Sequence, residues 1–365
     1  MSNESEVNIE RLKPEDIEEY DSVVMSSTTG MLSHTVRFGK VLQSFTETEP
    51  FYLVAKINGK IVGVLPSLLK KNEKYGNVLN SLPFFGMHGG PVVPSLNEKE
   101  HFQVKKRLLL AFKELAKENH CVFSTLILTP FEPDVDFVRE TLKPSFIDSK
   151  ITQMVVSATC SGNIENQILY KTVEKRCRTA IRKAQKNEIE VEIAQDLKYA
   201  DKLIEMHKIG MMKKQGVVKP PKFFAILFNE LAQNKDFKIF WALKDNQIIA
   251  GLLLLYYKNI VEYFTPSFRL EYNDLQPNTL LIYEAMKDSL EHGYNIWNFG
   301  GGARLSGVYL FKRSWGAKDY QYYYFINSYG DTSGILNLRQ EELMSEYEWF
   351  YVLPFRELMR GTTSD

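Results

Sequence analysis

Three cysteines, six histidines and a net charge of zero rule out several common chemistries at the outset. Cys121, Cys160 and Cys177 lie far apart with no C-x-x-C pair, and the histidines show no metal-ligand spacing. Neither a disulfide framework nor a metal is therefore expected, and the setting is read as a reducing cytoplasm. Lys+Arg equals Asp+Glu at 45 each. That balance removes any global field that would recruit nucleic acid or membrane, so DNA is not expected as a partner and any polyanion site must be local. The longest apolar run, Ile248 to Tyr257, is about half of what a bilayer span needs, so no membrane span is expected. The N-terminus, MSNESEVNIERLKPED, is polar and acidic where an export signal has a basic start and an apolar stretch. At 365 residues, 44% of them hydrophobic, the chain has material for two ordinary cores.

What is present is a unit used twice. The stretch FYLVAKINGKIVGVLPSLL (51–69) reads as two strands joined at Asn58-Gly59, a strong hairpin signal. In the second half, FKIFWALKDNQIIAGLLLLYYKNIVEYFTPSF (237–268) repeats the device with turns at Asp245-Asn246 and Lys258-Asn259, and Gly251 stands where Gly63 stood. Two helical patterns precede each meander: Pro14 to Met25 and Arg37 to Phe45, then Leu197 to Lys214 and Lys222 to Ala232. A longer helix follows each one. The first carries a capping box at Ser95 and Glu98, with Val104, Leu108, Phe112 and Leu115 at helical spacing. The second opens at Pro277, has Leu280, Tyr283, Met286 and Leu290 on its apolar stripe, and stops at Gly293. One buried strand then closes each unit, VFSTLIL (122–128) and NIWNF (295–299). The expectation is two α/β (α+β) domains of one kind, 1–160 and 161–365, each a mixed and mainly antiparallel sheet flanked by helices. The second would include a basic junction helix and a C-terminal helical tail, LRQEELMSEYEWFYVLPFRELMR (338–360), packed on that domain or in a dimer.

The tandem arrangement, VGVLPSLL…NVLNSLPFFGMHGGPVV, RCRTAIRKAQKNEIEVE at the junction, and QPNTLLIYEAM…NFGGGARLSGVYLFKRSWG resemble the Fem-type (FemA, FemB, FemX) transferases, which carry two GNAT-like acyltransferase domains. The resemblance implies acyl transfer to nitrogen. The donor would be aminoacyl-tRNA or acyl-CoA, and the acceptor an amine on a cell-envelope, peptidoglycan-like or polysaccharide precursor, either a small molecule or a lipid-linked glycan or peptide. It further implies a role in cell-envelope or polysaccharide biogenesis, with no metal and a monomeric or homodimeric state. The turn that reads Phe-Asp-Phe-Gly-Arg in many relatives is Trp297-Asn298-Phe299-Gly300-Gly301 here, so an acid and a base are missing.

The same comparison implies that Lys312, on the strand expected after the Gly-rich turn, reaches the reaction centre as a cation, with Phe311 beside it; spacing alone favours a solvated strand lysine instead. Tyr263 sits mid-strand, where the family lays its acyl donor, and is either a proton relay or a core aromatic. Glu262 points to the opposite face, either a base or a solvated carboxylate. Substrate contacts are expected from Asn278, Gly300, Gly301, Gly302, Arg304 and Trp315. The junction segment 171–186 has Lys175, Arg178, Arg182 and Lys186 along one helix side, and Arg178 and Arg182 are candidates for an anion, whether tRNA phosphate or a diphosphate. The turn RLEYNDLQPN (269–278) has no glycine and contains Glu271 and Asp274, so an ordinary CoA pyrophosphate site is not expected there, and Gly89-Gly90-Pro91 in the first half is not basic enough to be one. A rival reading, drawn from that turn and from Asn298, is a degenerate non-catalytic GNAT pair that binds a sugar-nucleotide or a protein partner.

Overall fold

The structure, a computed structural model, describes residues 6–83, 87–157, 162–214 and 216–358. Its strands are β1 (Asn8–Arg11), β2 (Glu49–Ile57), β3 (Lys60–Lys70), β4 (Asn77–Asn80), β5 (Cys121–Ile127), β6 (Phe146–Val156), β7 (Glu190–Ile193), β8 (Phe237–Lys244), β9 (Gln247–Tyr257), β10 (Ile260–Phe268), β11 (Ile296–Gly301) and β12 (Lys318–Ser328). The chain forms two compact units, residues 1–150 with 321–365, and residues 151–320. This corrects the linear division at 160. The expected boundary itself, with Cys160, lies outside the described residues.

In the first unit the strand order is β1-β2-β3-β4-β5-β12. The Asn58-Gly59 turn has φ of 50° and 80°, the left-handed geometry that a two-residue hairpin requires, and it joins β2 to β3 as the sequence predicts. Helix Glu98–Glu118 then carries the chain over to β5, which runs parallel to β4. Val104, Leu108, Phe112 and Leu115 of this helix are buried against the sheet. Its cap is Asn97, whose side chain accepts the Glu100 N–H at 3.0 Å, rather than Ser95.

The strand that completes this sheet is β12, antiparallel to β5, from the far end of the sequence. The tail follows it into the first unit. Tyr347 Oη donates to the Gly76 carbonyl at 2.7 Å, and Tyr351 Oη and Arg356 both donate to Asp148. Burial alone would raise the Asp148 carboxyl, but hydrogen bonds from Tyr351, Lys150 and Arg356 bring it down to about 2. The tail therefore does not pack on the second domain as expected; Met359 and Arg360 lie outside the described residues.

In the second unit the order is β6-β11-β10-β9-β8-β7, with β11 parallel to β10 and antiparallel to β6. Helices Ala200–Lys213 and Pro221–Glu230 precede the meander, and Pro277–Glu291 carries the chain from β10 to β11. Leu280, Tyr283 and Met286 join Trp297, Phe299 and Trp315 in one buried cluster. Each half thus builds meander, helix and parallel strand from its own sequence and takes its last antiparallel strand from elsewhere in the chain. Gly63 and Gly251 are not equivalent in packing. A methyl on Gly63 would meet Val104 of the long helix, and one on Gly251 would meet Trp241 on the next strand and Leu203 of helix Ala200–Lys213.

With Trp241 Cζ3 only 2.5 Å and Leu203 Cδ1 2.8 Å from that methyl, Gly251→Ala is expected to destabilise the second unit by about 1–3 kcal/mol through overpacking. Gly293→Asn is the comparison, since Gly293 has φ 86° with nothing near its missing Cβ and Asn tolerates that conformation. Urea unfolding of both variants checks this, and equal midpoints would refute it.

Candidate active site

Three second-unit elements build the site: β10, the start of helix Pro277–Glu291, and the Gly-rich turn with the segment after it. That last segment departs from expectation. Residues Gly307–Ser314 form a helix, not a strand, because Ser306 caps it by accepting the Tyr309 N–H at 3.1 Å. Phe311 and Trp315 then fall four apart on its inner side and touch at 6.3 Å between ring centroids. Lys312 faces inward as well, and its relative exposure is only 5%.

A buried ammonium needs acceptors. Lys312 Nζ finds two, donating to the Gly300 carbonyl at 2.9 Å and the Gly301 carbonyl at 2.5 Å. The Gly-rich turn thus presents carbonyl oxygens to a cation rather than N–H groups to a phosphate. Gly300, at φ 72°, permits the bend, and β11 slips its register against β6 between Asn298 and Gly301. Loss of water lowers the Lys312 ammonium to about 8. An ammonium has three hydrogens, so one is left beyond the two carbonyls.

Tyr263 and Lys312 both line one cleft of about 340 Å³, together with Asn278, Phe311, Lys214 and Gln276. Asn278 Nδ2 donates to Tyr263 Oη at 3.3 Å, while Asn278 Oδ1 is buried without a partner among the described residues. Burial pushes the phenol well above its ordinary range, so it stays a neutral O–H donor at physiological pH. The parallel pairing of β10 with β11 spans only Ile260–Glu262 against Ile296–Asn298. From Tyr263 onward β10 is free of that neighbour, and a register slip against β9 falls between Tyr263 and Thr265.

Glu262 is not in this cleft. Tyr263 packs on Phe299 at 5.2 Å between centroids, on one side of the sheet. Glu262, on the other side, accepts from Asn298 Nδ2 at 2.8 Å. It is half-buried, and desolvation raises its carboxyl to about 7 against the smaller pull of that hydrogen bond. Asn298 Oδ1 in turn accepts the Gly300 N–H at 2.9 Å and the Thr152 hydroxyl at 2.5 Å. A continuous series of hydrogen bonds therefore joins Glu262, Asn298, Gly300 and Lys312.

The other candidates separate. Trp315 is fully buried and packs on Phe299 and Phe311, a core residue and not a contact in the cleft. Arg304 and Gly302 are exposed on the turn. Arg178 donates to the Leu169 carbonyl and Arg182 to the Tyr170 hydroxyl, each at 2.7 Å, so both arginines brace the neighbouring segment and neither lines the cleft. In the first unit the Gly89 N–H is taken by the Ile127 carbonyl at 2.9 Å. Lys214 and Gln276 escaped the sequence reading. Only the doubled lysine Lys213-Lys214 and the residue preceding Pro277 hinted at them, since a turn before proline leaves the helical region. No group of His, Cys, Asp and Glu among the described residues is arranged to hold a metal.

Residues 171–313 match the acetyltransferase (GNAT) domain family. No curated protein sequence matches the chain. Among solved structures the chain is similar to FemX, at 18% identity and a TM-score of 0.70, over 87% of this chain and 96% of that one. It is also similar to the C-terminal domain of a putative lysylphosphatidylglycerol synthetase from Agrobacterium fabrum (12% identity, TM-score 0.53, 88% and 93% covered). A tandem GNAT protein from the clavulanic acid biosynthesis pathway gives 11% identity and a TM-score of 0.50, with 89% and 99% covered. Lys312 stands near the end of the segment that matches the acetyltransferase (GNAT) domain family and Tyr263 lies within it, and the chain as a whole shares the fold of FemX.

Proposed function

We propose that this protein is a cytoplasmic N-acyltransferase that moves an aminoacyl group from aminoacyl-tRNA, or an acyl group from acyl-CoA, to an amine of a cell-envelope, peptidoglycan-like or polysaccharide precursor. The observation that carries this reading is that Lys312 and Tyr263 line one cleft, beside the stretch of β10 that does not pair with β11. The fold shared with FemX and with a putative lysylphosphatidylglycerol synthetase domain supports an aminoacyl donor.

In this reading the acceptor amine attacks the acyl carbonyl, the C–N bond forms, and negative charge gathers on the carbonyl oxygen. Tyr263 donates to that oxygen, held in place by Asn278, and Lys312 supplies the facing positive charge. The C–O bond to the tRNA ribose, or the C–S bond to CoA, then breaks. Lys312, whose ammonium lies near 8, gives the leaving atom a proton and recovers one from the amine, so the reaction is proton-neutral overall. Glu262 has no direct part. It anchors Asn298, which holds the turn whose carbonyls position Lys312.

Asn298 suits this place better than aspartate. Its amide both donates to Glu262 and accepts from Gly300 and Thr152, whereas an aspartate would set two carboxylates against each other.

Lys312→Met is expected to keep its unfolding midpoint within a few degrees and to lose about 10²–10³ in kcat, the scale of removing one preorganised charge; full activity would remove Lys312 from the reaction. Asn298→Asp should make activity require a proton shared with Glu262, so its pH–rate profile falls as pH rises towards neutrality where the parent's does not. A profile like the parent's would refute the positioning role. NMR titration of methylated lysines should show two titrating near 8, Lys312 and Lys219, and the Lys312→Met spectrum should lack one of them. Calorimetry with acetyl-CoA and with aminoacyl-tRNA, followed by product mass, identifies the donor, and the absence of binding to either would overturn the transferase reading.

A further inference from the structure

The chain as a whole is neutral, yet residues 206–229, MHKIGMMKKQGVVKPPKFFAILFN, contain five lysines and no acid. Lys219 turns inward, donating to the Phe264 carbonyl at 3.2 Å. Lys208, Lys213 and Lys214 are exposed and in no ion pair with a described residue. Among them three large aliphatic side chains also face outward: Ile209 at 50%, Met212 at 62% and Val217 at 51% exposure. On helix Ala200–Lys213, positions 208, 209, 212 and 213 share one side. The inner side is already satisfied by buried Leu203, Met206 and His207. Glu205, one turn earlier, bounds the patch.

We propose that this patch, the last turn of helix Ala200–Lys213 together with Lys214 and Val217, docks on an anionic lipid surface. A bilayer interface meets both kinds of side chain at once. Aliphatic groups enter the headgroup boundary while lysines stretch their stems along it and keep their ammonium groups at the lipid phosphates. An RNA backbone would engage the lysines but leave Ile209, Met212 and Val217 in water. The other basic helix, Lys175–Gln185, exposes no large aliphatic side chain, which sets this patch apart from a general polyanion face. Lys214 also lines the active-site cleft. On the transferase reading above, docking would bring that cleft to the level at which an amine on a lipid-linked acceptor is found; the docking itself does not depend on that reading.

Co-sedimentation of the full chain with vesicles of phosphatidylglycerol and phosphatidylcholine, against pure phosphatidylcholine, tests the proposal. Binding is expected to the anionic vesicles, weakening as salt rises. Lys208→Gln with Lys213→Gln should lower partitioning about tenfold or more at low salt. Ile209→Ser, Met212→Ser and Val217→Ser together should lower it at every salt concentration. All five positions are exposed, and unchanged circular dichroism would establish folding. The Lys312→Met protein should bind vesicles like the parent, which separates this proposal from the catalytic one. Failure to bind anionic vesicles, binding unchanged in the aliphatic triple variant, or capture of tRNA in place of vesicles through the same residues would each overturn it.

Discussion

A lysine ammonium inside a protein must be surrounded by acceptors or give up its proton, and the second unit is organised around that requirement at Lys312. The two carbonyls that receive it belong to consecutive glycines. Gly300 turns with positive φ so that both oxygens face the same way. Behind the turn, Asn298 fixes the Gly300 N–H, and Thr152 and Glu262 fix Asn298. In front of it, Ser306 starts a helix whose second turn returns Lys312 to the glycines. The lysine is therefore held from both sides while one hydrogen remains for the cleft.

This arrangement accounts for Asn298 and Gly301 at a turn where the resembled Fem-type pattern has an acid and a base. With Glu262 at 2.8 Å on the neighbouring strand, the position already has its carboxylate, and a neutral amide is the complementary group. With carbonyl oxygens directed at Lys312, an arginine at 301 would place a second cation on the same turn. The departures at 298 and 301 fit one local electrostatic solution.

The doubled fold imposes a second constraint. Each half ends its own pattern at a parallel strand, β5 or β11, that still has an open edge. The first unit closes that edge with β12 and the second with β6, both antiparallel. An unpaired central edge would leave backbone groups without partners in the core. Using strands that come late in each half satisfies them, and it also draws the C-terminal tail onto the first unit, where Asp148 is held ionised by Tyr351, Lys150 and Arg356.

Much of this was legible in sequence order. Hairpin turns at Asn58-Gly59 and Asp245-Asn246, the helix opening at Pro277 and the strand pairs are local events set by backbone preference and periodicity, so the repeat could be read directly, while its GNAT-like character rested on the resemblance to the Fem-type transferases. Lys312, Tyr263, Asn278 and Phe311 could be named, but the helical state of 307–314 could not: Val308 and Leu310 are exposed while Lys312 is buried, the inverse of the usual pattern. The sequence by itself determined which elements form and in what order, because those depend on neighbours within a few residues. Only the tertiary structure decided which strand closes each sheet, that the glycines offer carbonyls instead of N–H groups, and that Glu262 supports the turn from the face opposite Tyr263, because each rests on contacts between residues distant in the chain.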